Sequence, residues 1–261
     1  MPKAVTLREF DECIATVLRT PELERFVNQD SLYNGLQTRG LGEVTHVGFG
    51  VSASMELFRL AHESGCDALV VHHGLFIPPR NLDRLTYNRL AYLIQNNIAL
   101  WSAHYLLDAH PEIGNNAQII AAVGGKIVEP YIAGSRAPWG YIAELPQPQS
   151  LAALVDRLAP RFSPDKIIYD FADKPIERFV CVSGKGGPSA EDMEQLAKNG
   201  VQLYITGEIH EWHREQFREF GISCIAGGHY HTETFGLQAL QPIVEKKLDV
   251  KTTWLDLVNN V

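Results

Sequence analysis

Apolar and polar positions alternate along this chain in a repeating order of helical stripes and short buried strands. Leu7, Phe10, Ile14, Val17 and Leu18 fall on one face of a helix that Thr6 and Glu9 open as a capping box. Asp30 to Gly42 is rich in turn formers and leads into a strand expected over Val44 to Phe49. Ser52 or Ser54 then caps a helix that Gly65 ends. The apolar run Ala68 to Val71 reads as a buried parallel strand stopping at His72 and His73. A second amphipathic helix, roughly Leu82 to Gln95, precedes the apolar run Asn97 to Trp101, and Asn115 or Asn116 is placed to cap a short helix through Val123.

Gly124 to Pro148, with its prolines and glycines, reads as a crossing between two lobes, within which Trp139 to Leu145 suits an edge strand. Beyond it the pattern predicts a helix from Ser150 to Leu158 and strands at Ile167 to Tyr169, Phe179 to Val182, Leu203 to Ile205 and Ile222 to Ala226. Helices are expected over Glu208 to Phe220 and Thr232 to Leu248. Ser54 to His73 lies without gaps over Ser189 to Glu208, each stretch giving a serine, a helical segment, a glycine and a strand. The fold class expected is therefore α/β. Two related lobes from an internal duplication, residues 1–127 and 128–261, would face each other with a metal site in the cleft between them.

Composition narrows the function. At 261 residues and 45% hydrophobic content the chain can bury one or two sizeable cores. A net charge of -8 argues against general nucleic-acid binding and against anionic membrane surfaces. The start, MPKAVTLREF, has no apolar leader and no long apolar run follows, so a cytoplasmic protein is expected. Cys13, Cys66, Cys181 and Cys224 form no CxxC pair and suit buried free thiols.

Histidines and carboxylates carry the candidate chemistry. His104 and Asp108 are four residues apart after one apolar run, and His229 and Glu233 repeat that spacing after another. His72 and His73 end a strand where Gly74 lets the chain turn, and alone they could equally be packed or hydrogen-bonded histidines. Taken together, four histidines with Asp108 and Glu233 at or just past strand ends form the nitrogen and oxygen set that suits Zn, Mn, Fe or a similar divalent ion, and Asp108 could bridge two of them. Glu208 is either a general acid or base beside the metals or a helix cap. SGKGGPS, with Lys185, could cradle phosphate or form a plain tight turn. His210 and His213 sit three apart and resemble HExxH only superficially, and His231 has no assigned role.

The strand end VVHHG, the segment AHYLLDAHPEIGNNAQ, the strand end YITGE and the closing GHYHTE occur in this order and resemble the motifs of the Nif-three-like family, often labelled GTP cyclohydrolase I type 2. The resemblance runs from about Asn34 to Glu233. It implies a two-lobed α/β protein with two divalent metal ions per chain between the lobes, built into a homo-oligomer, commonly a hexamer. The implied metal ligands are His72, His73, Asp108, His229 and Glu233. His104 falls outside them as a substrate contact or a proton-handling group, whereas the duplication pairs it with the ligand His229. The function this implies is a dinuclear metal-dependent hydrolase acting on a small molecule, with a nucleotide or related heterocycle as the suggested class. The alternative is a metal-binding or metal-delivering oligomer that turns nothing over.

Overall fold

The protein is described by a computed structural model over residues 3–40, 42–75, 83–132 and 137–260. It falls into two compact units, one formed by Met1–Leu107 with Leu237–Leu257 and the other by Asp108–Gly236 with Val258–Val261. The sequence reading drew the division at 127/128. Compactness instead starts the second unit at Asp108 and returns the C-terminal segment to the first, a reassignment that turns on tertiary packing and leaves no local mark in the sequence.

The first unit opens with β1 (Val5–Thr6) and α1 (Leu7–Leu18), whose N-terminus carries the expected Thr6–Glu9 capping box and buries Phe10, Ile14 and Leu18. After the short α2 (Pro21–Glu24) come β2 (Gly35–Thr38), β3 (Glu43–Val44) and β4 (His46–Ser52). The segment read as turns thus contains a strand. α3 (Met55–Glu63) is capped by Ser54 and ends before Gly65, which takes a φ of 72° that a side chain would resist. β5 (Ala68–His73), α4 (Arg84–Gln95) and β6 (Ala99–Ser102) follow, and α4 is capped by Asp83, while Leu82 lies outside the described residues. α5 (Tyr105–Asp108) is a single turn.

In the second unit, α6 (Asn115–Ala122) precedes β7 (Lys126–Tyr131) and β8 (Gly140–Gln149). β8 is paired on both sides, so the segment read as a crossing with an edge strand is part of the sheet, and β7 is the edge. α7 (Leu151–Leu158), β9 (Ile167–Tyr169), β10 (Ile176–Val182), α8 (Ala190–Lys198), β11 (Leu203–Thr206), α9 (His213–Phe220) and β12 (Ser223–Ala226) complete it. α10 (His229–Leu248) begins in this unit, and β13 (Lys251–Trp254) belongs to the first.

Each unit holds one large sheet with a parallel core, and the first also carries the two-stranded antiparallel pair β1-β3. The first runs β13-β4-β5-β6-β2, parallel except for β2, and the second runs β7-β8-β10-β11-β12-β9, parallel across β10, β11 and β12. The strand-helix-strand-helix-strand order β4-α3-β5-α4-β6 matches β10-α8-β11-α9-β12, and each closes with an antiparallel strand drawn from earlier in the chain, β2 or β9. Ser54 and Ser189 cap the paired helices, and Gly65 and Gly200 end them with φ of 72° and 73°. One side chain does the same task in both. Asp67 Oδ2 accepts the Thr45 and His46 amides at 2.8 and 3.0 Å, and Gln202 Oε1 accepts the Glu177 and Arg178 amides at 3.2 and 2.8 Å.

Leu57, Phe58, Leu69, Val71, Leu93 and Leu100 anchor the first core, while the second unit packs one cluster around Phe179 and Ile205 and another around Tyr204 and Phe217. Each fully buried side chain of this size contributes about 1.5–3 kcal/mol. Among the described residues no helix is long and apolar enough to cross a membrane.

Candidate metal centre

In the first unit, parallel pairing brings the ends of β5 and β6 side by side, so His72, His73 and His104 gather at the carboxyl ends of these two inner strands. Their ring centroids stand 4.8 Å (His72 and His73), 4.8 Å (His72 and His104) and 5.5 Å (His73 and His104) apart. One nitrogen from each lies within 4.8 Å of the others.

A protein oxygen engages Nδ1 of every ring. His72 Nδ1 donates to the Ala103 carbonyl at 2.7 Å, His73 Nδ1 meets Ser52 Oγ at 2.9 Å across the β4-β5 register, and His104 Nδ1 donates to Asp30 Oδ2 at 2.9 Å. For His72 and His104 the acceptor is an oxygen without a proton, so Nδ1 carries the hydrogen and Nε2 the lone pair. That is the tautomer a divalent ion or a transferable proton requires.

Asp30 is the residue that sequence reasoning missed. Its side chain is fully buried and accepts from the Leu32 amide at 2.9 Å, Asn34 Nδ2 at 2.7 Å and the Tyr105 amide at 3.0 Å as well as from His104. Burial alone would raise this carboxyl. The hydrogen bond from His104, with those from Leu32 and Asn34, outweighs it and holds the group below the usual carboxylate range. Asn34 Oδ1 accepts the His104 and Leu106 amides at 2.8 and 3.2 Å, so the loop from Asp30 to Asn34 grips the histidine-bearing turn. Asp30 lies 74 positions from His104. The turn formers around it were the only available signal.

The second unit holds carboxylates. Asp108 is buried, and its Oδ1 accepts from Asn115 Nδ2 at 2.9 Å and Ser183 Oγ at 2.8 Å. Two donors on one oxygen fix the plane of the carboxylate. Asn115 Oδ1 in turn accepts the Gly236 amide on α10 at 2.7 Å, and Asn116 Oδ1 accepts the Ser183 amide at 2.7 Å. Neither asparagine caps α6, as the sequence suggested. Gly114 stands at the N-cap, and both amides point sideways, fully buried, into this network.

His229 and Glu233 lie one turn apart on α10, with His229 Nε2 and Glu233 Oε1 3.0 Å apart and Glu233 only 3% exposed. Glu208 Oε2 is 3.5 Å from His229 Nδ1. Glu208 does not cap α9, which begins five positions later at His213.

The SGKGGPS loop serves this pair. Gly184 has a φ of 60°, and a Cβ there would stand 2.2 Å from Glu233 Oε1 and 3.2 Å from His229 Nε2. Two of the loop's amides are turned inward, Ser183 N to Asn116 of α6 and Gly184 N to Thr232 Oγ1 of α10 at 3.0 Å, so these two brace helices, and Lys185 is exposed.

His210 and His213 do not join either donor set. His213 is buried, with Nδ1 accepting the His210 amide at 2.8 Å and Nε2 donating to the Pro188 carbonyl at 3.1 Å, and burial lowers its pKa. His210 stacks on Trp212 with centroids 4.5 Å apart. His231 packs edge-on against Tyr230.

The donor chemistry fits divalent metal. Imidazoles with fixed tautomers and carboxylates with fixed planes are the ligands such ions take, and the protein oxygens behind them are the supports such ligands need. Fold and donor sets together define an α/β protein of two units equipped to bind metal ions. The chain belongs to the Duf34/NIF3 (NGG1p interacting factor 3) family, whose profile matches residues 10–260. It is 35% identical over 234 residues to a "GTP cyclohydrolase 1 type 2 homolog" of Archaeoglobus fulgidus, covering 89% of this chain and 92% of the relative. Among solved structures it is similar to protein ybgI, a structural-genomics target of unknown function, with a TM-score of 0.84, 30% identity and coverage of 98% of this chain and 100% of that one. TTHA1606 from Thermus thermophilus matches with a TM-score of 0.83, 32% identity and the same coverage.

Proposed function

We propose that the protein is a metal-dependent hydrolase that holds two divalent ions with His72, His73, Asp108, His229 and Glu233 and acts on a nucleotide or related heterocycle. The observation that carries this reading is the convergence of three imidazoles whose Nδ1 atoms are all engaged by protein oxygens. Structural histidines do not need three such supports at neighbouring strand ends. The matching order of elements in the two units supports their origin by duplication. The name shared by relatives supports the substrate class.

Bound there, the ions would make a coordinated water acidic enough to give hydroxide near neutral pH. The chain's own residues would do the rest. Asp108, its plane fixed by Asn115 and Ser183, is the carboxylate suited to be shared between two ions. His104, with its Nδ1 proton held on Asp30, presents Nε2 as the atom to take up or return a proton, and Asp30 would stabilise the charged ring as it forms. Glu208 is the second proton-handling candidate, beside His229. The assembly is proposed to be a homo-oligomer.

The test is metal analysis of protein saturated with Zn or Mn and desalted, followed by a nucleotide screen for metal-dependent product release. Two ions and turnover are expected. Two ions with no turnover across the screen would favour the metal-binding alternative, and one ion or none would refute the centre as drawn.

A further inference from the structure

The loops that leave the carboxyl ends of the parallel strands β10 and β11 lie beside the His229–Glu233 pair, and in open α/β sheets this is the side on which ligands bind. Gly184 O accepts the Gly207 and Glu208 amides at 3.1 and 3.0 Å, which ties the two loops together where Glu208 approaches His229. A second tie lies further along both loops. The buried His213 accepts the His210 amide on Nδ1 at 2.8 Å and donates from Nε2 to the Pro188 carbonyl at 3.1 Å, and a Cβ added to Gly187 would stand 2.8 Å from its Cε1. Residues 210–213 are thereby fixed against the loop that begins at Ser183.

Trp212 stands on this clasp, and the local structure does not call for it. It is 57% exposed, whereas Trp101 is fully buried and Trp139 and Trp254 are partly so. It occupies the N-cap of α9, where Ser, Thr, Asp or Asn is favoured, and makes no capping bond. Its ring stacks on that of the exposed His210, with centroids 4.5 Å apart and planes 24° from parallel, and both rings lie 5.6 Å from the ring of His213. The indole is therefore held in one orientation while more than half of it stays in water. A flat aromatic surface fixed in advance lets a planar ring stack without the protein having to reorder.

Glu208 and Trp212 are four positions apart, so their Cα atoms lie within about 14 Å of each other. On the neighbouring loop the exposed Lys185 sits between Gly184, which abuts Glu233, and Gly187, which abuts His213. An indole face, a cation and a set of metal donors on two clasped loops and the helix beside them match a ligand with a planar ring and an anionic group. We propose that Trp212, backed by His210, is the stacking platform for the base of a nucleotide substrate, with Lys185 attracting its phosphates. This rests on the reading of the protein as acting on nucleotides, and it assigns the residue that recognises the ring.

GTP is titrated into the full chain loaded with Zn or Mn, and binding is followed by calorimetry and by tryptophan fluorescence. GTP is expected to bind the native protein and to quench part of its emission. Trp212→Phe should lose that quenching and keep most of the affinity, whereas Trp212→Ala should weaken GTP by about 5- to 150-fold, the range for loss of one base–aromatic stack. Lys185→Glu should weaken GTP too, yet saturating GTP should still quench Trp212. The ion content should be native in all three variants, which separates a ring contact from damage to the metal centre. Unchanged GTP affinity in Trp212→Ala, or full quenching in Trp212→Phe, would overturn the platform and leave the nucleotide reading standing. No binding of GTP by the native protein would overturn both.

Discussion

Replacing Gly184 by alanine adds one methyl group beside the pair of side chains proposed to hold metal in the second unit. Two costs follow from the geometry. The backbone sits at a φ of 60°, where alanine costs about 1–2 kcal/mol. The new Cβ would also stand 2.2 Å from Glu233 Oε1, so that buried carboxylate must move. Gly200 separates the two costs, because its φ is 73° and nothing lies within 4 Å of an added Cβ. Gly200→Ala and Gly184→Ala should therefore both lower the melting temperature of metal-free protein by roughly 2–8 °C, the shift expected for about 1–2 kcal/mol in a chain of this size. Only Gly184→Ala should weaken metal binding, by at least about 10–100-fold, the range seen when the support of a ligand is disturbed. Calorimetric titration of Zn or Mn into apoprotein reads this directly, and melts of the apoprotein keep ligand-linked stability out of the comparison. Equal affinity in the two variants would refute the placement of Glu233 and His229 as ligands.

Asp108→Ala should lose at least one ion while circular dichroism stays native, at a stability cost of about 1–3 kcal/mol for the donors it strands on Asn115 and Ser183. His229→Ala should lose an ion, whereas His104→Ala should keep both and lose turnover by about 10²- to 10⁴-fold. Loss of an ion from the His104 variant would make it a ligand beside His72 and His73, with whose rings it is grouped. Asp30 has its folded pKa depressed, so its stabilisation is present in full above its ordinary value and is lost as pH falls through the lower folded one. Acid melts of Asp30→Asn should accordingly show less loss of stability below about pH 4 than the native chain, and an identical acid limb would contradict the assignment.

The elements that sequence showed best are those whose signal is local. The Thr6–Glu9 capping box, the cap at Ser54, one of the two serines offered, and the buried runs of β5 and β11 each fall within a few residues, and each stands where the pattern put it. β1, β2 and β13 were missed because they carry no apolar run of their own and exist through partners far along the chain. The buried amides of Asn115 and Asn116 looked like helix caps for the same reason. A cap is a local use of asparagine, and their real partners, at Gly236, Trp139 and Ser183, become visible only once the chain is folded. His72, His73, Asp108, His229 and Glu233 could be singled out from spacing and strand ends, while the groups that orient them could not.

The buried thiols make the two units separately observable. Cys66 lies in the first unit with its pKa pushed up to about 11, and Cys181 and Cys224 lie in the second with theirs pushed higher still, all three chiefly by burial. At neutral pH such sulfurs are almost wholly protonated and shielded, so an alkylating reagent modifies them only when the structure around them opens. Mass-resolved labelling over time would then clock the opening of the first unit at Cys66 and of the second at Cys181 and Cys224. If the two clocks run together, the units unfold as one cooperative body, and if they diverge, one opens while the other stays closed.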